Sequence, residues 1–72
     1  MKNEERYKKL CVNVFYLRKK RGLTQKELAE KAGVSVYVLR SIERPDTKGS
    51  VSIINLFNIA DALDVEASEL LL

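Results

Sequence analysis

The chain has 72 residues, 46% hydrophobic and 32% charged, with one cysteine, no histidine and a net charge of +3. That is one small soluble domain, residues 1–72, without a disulfide framework, a Cys/His zinc site or histidine-dependent acid–base chemistry. No apolar run reaches membrane-span length, the charged opening "MKNEERYKKL" is no signal peptide, and a lone thiol, Cys11, suits a reducing cytoplasm.

The charge is unevenly spread. Residues 1–21 carry eight basic and two acidic side chains; residues 51–72 carry no basic and four acidic ones. A basic half favours an anionic partner such as nucleic acid, although a solvated charged surface would read the same way.

The apolar spacing is helical nearly everywhere. A first helix starts near Asn3, an N-cap followed by Glu4 and Glu5. Tyr7, Leu10, Cys11, Val14, Leu17 and Arg18 form its inner stripe, and Gly22 ends it after the basic run "RKKR". Val12, Phe15 and Tyr16 lie off that stripe. They read either as a partner surface or as a broad buried face, and for Phe15 we expect burial.

The second helix opens at Thr24, where "TQKE" makes a capping box with Glu27. Leu23 and Leu28 flank it, Leu28, Ala29 and Ala32 face inward, and Gly33 ends it. Ser35 caps a third helix running to about Glu43. The short gap around Gly33 is the pattern of a helix-turn-helix. In the third helix Val34, Val38, Leu39 and Ile42 fall on one side, leaving Val36, Tyr37, Arg40 and Ser41 on the other.

"RPDTKGSV" (44–51) reads as a loop. Ser52 caps a fourth helix carrying Ile53, Leu56, Phe57, Ile59, Ala60 and Leu63, after which Asp64 takes a left-handed conformation. "EASELLL" makes a short last helix returning Leu70 and Leu71 to the core. The expected fold is all-α: a compact five-helix domain.

"LRKKRGLTQKELAEKAGVS", then "LRSIER", then "NIADALDVEASELL" together resemble the helix-turn-helix domain of the phage repressor and Cro type. The resemblance covers roughly residues 7–72. It implies a repressor-like DNA-binding domain with helices two and three as the helix-turn-helix. Helix three would lie in the major groove of double-stranded DNA, and no cofactor is implied.

By that resemblance Val36, Tyr37, Arg40 and Ser41 would meet base edges. Arg pairs bidentately with guanine, Ser with several bases, and Val contacts a thymine methyl. Tyr37 would touch methyls, a base edge or a phosphate. Thr24, Gln25, Lys26, Ser35, Arg44 and Lys48 would meet phosphates, Gln25 and Ser35 beside free helix amides. Arg18 and Glu43 would face each other as a partly buried ion pair. The chain departs from the family in two places. Val36–Tyr37 stands where Gln, Arg, Ser and Thr are commoner, and Pro45 stands where a glycine often follows the Glu.

The function so implied is a sequence-specific DNA-binding transcriptional regulator of repressor type, not an enzyme. It would be a homodimer on a pseudo-palindromic operator, associated with the nucleoid. A restriction–modification controller and a phage-like regulator both fit. The alternative is an antitoxin, with a toxin as partner, or an interaction module that keeps the fold and binds a protein.

Overall fold

The computed structural model describes residues 3–44 and 51–72, all of whose regular structure is helical. Four α-helices run Asn3–Lys20 (α1), Gln25–Ala32 (α2), Val36–Ile42 (α3) and Ile53–Ala62 (α4), and a 3₁₀ helix spans Ala67–Leu71. Of the expected loop, 44–51, residues 45–50, with Pro45 and Lys48, lie outside the described residues.

Helix α1 carries Glu4 and Glu5 in its first turn and Arg18, Lys19 and Lys20 in its last. Both ends therefore complement the helix dipole. Its buried residues are Leu10, Cys11, Val14 and Arg18, one helical stripe. Burial, the first cause, pushes the Cys11 thiol upward, and the Tyr7 hydroxyl beside it shifts upward for the same reason. A raised thiol pKa makes an unreactive cysteine.

Helix α2 starts with the expected capping box. The Thr24 hydroxyl accepts from the Glu27 amide at 3.0 Å and the Glu27 carboxylate accepts from the Thr24 amide at 2.8 Å. The bond from the Thr24 amide holds the Glu27 carboxyl below the usual carboxylate range. Ser35 and Ser52 cap α3 and α4, accepting from the amides of Tyr37 and Asn55, each at 3.1 Å.

Three helices end in one device. Gly22, Gly33 and Asp64 all take positive φ, near 71°, 71° and 59°. The next amide reaches back five residues each time, Leu23 to the Arg18 carbonyl, Val34 to Ala29 and Val65 to Ala60, at 3.0–3.1 Å. This is the Schellman arrangement, which satisfies carbonyls the helix leaves unpaired. The residue after the left-handed one is apolar in all three cases, and Leu23, Val34 and Val65 pack against the core. Each helix stop thus also redirects the chain inward. At the α2–α3 turn this sets the angle at which α3 leaves.

The core joins Leu10 and Val14 of α1, Leu28 and Ala29 of α2, Leu39 and Ile42 of α3, Leu56, Ile59 and Ala60 of α4, then Leu63 and Leu70. Helix α2 packs on α3 and α4, while α1 packs on the 3₁₀ helix. Leu28, Leu39, Leu63 and Leu70 have no exposed surface. Truncating any of them to alanine should cost about 2–5 kcal/mol.

The expected burial of Leu71 and of Phe15 needs correction. Leu71 is exposed while Leu70 is buried. The last segment is a 3₁₀ helix, whose three-residue period puts only Ala67 and Leu70 on the inner side. Its Leu70 carbonyl accepts from Asn13 Nδ2 at 2.9 Å, which ties it to α1. Ile53 and Phe57 are also exposed. The inner face of α4 follows Leu56, Ile59, Ala60 and Leu63, with Ile53 one turn beyond the core and Phe57 on the flank. Phe15 is exposed rather than buried, its ring lying under the Arg18 guanidinium at 5.4 Å.

Candidate nucleic-acid interface

The end of α1, the start of α2 and the end of α3 meet at one arginine. Arg18 Nε donates to Glu43 Oε2 at 2.7 Å and its Nη2 donates to Glu43 Oε1 at 3.0 Å. The remaining nitrogen, Nη1, donates to the Leu23 carbonyl at 2.7 Å. The two side chains are only 8% and 3% exposed. A fork-to-fork pair of this kind fixes orientation as well as distance.

Gln25 joins the same group. Its Nε2 donates to Glu43 Oε1 at 3.0 Å, a contact the sequence reading did not foresee. A primary amide has two N–H donors. One is spent on Glu43, which leaves the other for a phosphate. No other hydrogen bond among the described residues uses the Gln25 and Lys26 amides, which lie at the positive end of α2. Thr24 and Lys26 are exposed beside them.

The α2–α3 turn carries α3 outward. Leu39 and Ile42 bury one side of this helix, and Val38 is half-buried. On the opposite side Tyr37 is 74% exposed, Arg40 is exposed and Ser41 is half-exposed. The Arg40 guanidinium lies over the Tyr37 ring, 5.7 Å from its centre. The spacing of three residues, visible in the sequence, is what lets two such side chains meet on a helix.

Val36 differs from the expectation of a fully outward face. It is half-buried and packs against the core. As the first residue of α3 its side chain leans back over the incoming chain rather than outward. Ser35 is exposed, and its hydroxyl accepts from the Tyr37 amide while keeping its own hydrogen to donate. Arg44 is exposed just beyond α3, and Lys48 lies outside the described residues. Arg21, part of the basic run, donates from Nε to the Leu63 carbonyl at 3.1 Å, so it also closes the end of α4. Nothing in the local sequence signals that contact, which spans most of the chain.

A family model described as helix-turn-helix matches residues 14–70. Two solved structures are similar to the chain. The restriction-modification controller protein C.AhdI from Aeromonas hydrophila is 33% identical over 89% of this chain and 94% of that one, with a TM-score of 0.81. A hypothetical transcription factor, NHTF, from Neisseria is 29% identical over 100% of this chain and 82% of that one, with a TM-score of 0.85. Among curated proteins no relative matches. The chain belongs to the helix-turn-helix family of the phage repressor and Cro type, and with it to the DNA-binding regulators of transcription.

Proposed function

We propose that the chain is a single DNA-binding domain that reads double-stranded DNA with α3 in the major groove. The observation that carries this reading is the outer face of α3. An exposed tyrosine and an exposed arginine project from a helix whose inner side is locked into the core. Arg40 reads guanine, Ser41 a neighbouring base, Tyr37 a base edge or methyl, and the open part of Val36 a thymine methyl.

Thr24, Gln25, Lys26, Ser35, Arg44 and Lys48 bind the phosphates on either side. The spare Gln25 donor, the free amides of α2 and the Thr24 and Ser35 hydroxyls supply hydrogen bonds; Lys26, Arg44 and Lys48 supply charge. Arg18 and Glu43 touch no DNA. They hold α1, α2 and α3 at the angle that lets both groups reach the duplex together.

A second copy of the chain is the partner that the fold supports, over a toxin. Ile53, Ile54 and Phe57 at the start of α4, and Leu71 and Leu72 at the end of the chain, are all exposed and apolar. Such groups mark an interaction surface. A two-fold dimer would present two copies of α3 to half-sites about 34–36 Å apart on a pseudo-palindromic operator. In this reading the bound dimer acts as a regulator of repressor type. The likeness to a restriction-modification controller favours that setting over the others.

Binding measured by fluorescence anisotropy across a salt series tests the reading. Affinity for the selected site should fall linearly on a log–log plot, with a slope set by the number of phosphates neutralised. Salt-independent binding, or binding to no DNA, would leave a protein-interaction module as the better account.

A further inference from the structure

The arrangement of the two most exposed side chains on α3 goes further than a list of contacts. Tyr37 is 74% exposed, yet its ring is not simply standing in water. The Arg40 guanidinium lies over its face, 5.7 Å from the ring centre. A long arginine side chain on a helix surface samples many rotamers, and fixing it on binding loses entropy. A ring three residues earlier restricts that sampling, and no guanidinium N–H of Arg40 is spent on a hydrogen bond among the described residues. The in-plane donors stay available for guanine O6 and N7.

Arg18 sets the contrast. It also lies over an aromatic ring, that of Phe15, but every one of its nitrogens is already hydrogen-bonded within the protein. Arg40 has the aromatic partner and no protein hydrogen bond among the described residues. An arginine so held is oriented but unspent.

We propose that Tyr37 is a positioning residue for Arg40, its ring holding the guanidinium over α3 so that discrimination at the Arg40 base pair depends on the ring and not on the phenol hydroxyl. This rests on the reading of α3 as the groove helix. It assigns to the unusual tyrosine a role exerted through its neighbour, whatever contact its hydroxyl makes.

The test uses the whole chain and the duplex obtained by random-sequence selection. Tyr37→Ala, Tyr37→Phe, Arg40→Ala and the Tyr37→Ala/Arg40→Ala double variant are titrated against all four base pairs at the position that Arg40→Ala relaxes. Tyr37→Ala should lose about two- to five-fold of the preference at that same position. Tyr37→Phe should keep that preference whatever it does to overall affinity, and the double variant should discriminate no worse there than Arg40→Ala.

In the free protein, the Arg40 side-chain protons should show a ring-current shift in NMR spectra, present in Tyr37→Phe and absent in Tyr37→Ala. Loss of the preference in Tyr37→Phe, or an effect of Tyr37→Ala confined to another base pair, would overturn the proposal while leaving major-groove reading intact. Equal weakening of all sequences by Arg40→Ala would overturn both, even with the ring-current shift present.

Discussion

Two arginines of the same chain are used in opposite ways. Arg18 is buried in the last turn of α1, with all three guanidinium nitrogens donating to Glu43 and to the Leu23 carbonyl. Arg40 stands exposed on α3, with an aromatic ring as its companion and no hydrogen bond to the described residues. The first has been taken out of water and repaid in full by neighbours, so no buried side-chain nitrogen or oxygen among the described residues lacks a partner. The second keeps its donors for something outside. The difference separates what orients the helix-turn-helix from what reads through it. Changes at the junction should act on stability and leave sequence preference alone; changes on α3 should do the reverse.

The largest effect expected is at the junction. Glu43→Ala leaves the Arg18 charge buried with one backbone partner, a situation that costs about 3–5 kcal/mol. Thermal melting followed by circular dichroism should show a marked fall in Tm, and an unchanged Tm would remove Arg18–Glu43 from the account. On the reading face, Arg40→Ala should relax preference at one base position by about 1–3 kcal/mol with Tm unmoved.

At the turn between the two regions, Gly33→Ala should lower stability by about 1–2 kcal/mol. An added Cβ there meets nothing within 4 Å, so the loss comes from backbone conformation at φ 71° and not from a clash. Gly33→Asn should recover part of it.

Gln25 belongs to both regions, since it donates to Glu43 and faces the proposed phosphate. Gln25→Ala should weaken all DNA sequences alike, by about 1 kcal/mol, and lower Tm slightly. A change in base preference would place Gln25 in the wrong region.

The smallest effect is at Glu27. Its folded-state pKa lies below the ordinary value of 4.5, chiefly through the Thr24 amide. Its share of stability is therefore present above that range and fades as pH falls through the folded value. Glu27→Gln, which removes the titrating carboxyl, should flatten that part of an acid titration.

Helix boundaries were legible wherever a cap is written locally. Thr24 with Glu27, Ser35, Ser52, Gly22, Gly33 and Asp64 each stand at the helix end their chemistry requires. The inner stripe of α1 followed from spacing in the same way. The pattern did not reveal the period of the last segment. "ASELL" fits an α-helix as well as a 3₁₀ helix, and only the latter turns Leu71 outward. Exposure of Phe15, Ile53 and Phe57 was equally hidden, because an apolar residue on the flank of a stripe carries no mark of which side it faces.

In the candidate site the sequence located the outward face of α3 and the resemblance located Arg18 and Glu43. The bond from Gln25 to Glu43 spans 18 residues, and that from Arg21 to Leu63 spans 42. Contacts of that separation depend on how helices dock, which no local spacing encodes. Tyr37 and Arg40 were readable as neighbours, but the partial burial of Val36 required the turn geometry.

The division of labour between the two arginines is tested most directly by one random-sequence selection, run with the wild-type chain and with Arg40→Ala under the same salt. The account predicts a pseudo-palindromic consensus for the wild type and, for Arg40→Ala, the same consensus with information lost at one guanine in each half-site. Identical consensus sequences from both proteins, or no enrichment from either, would contradict it.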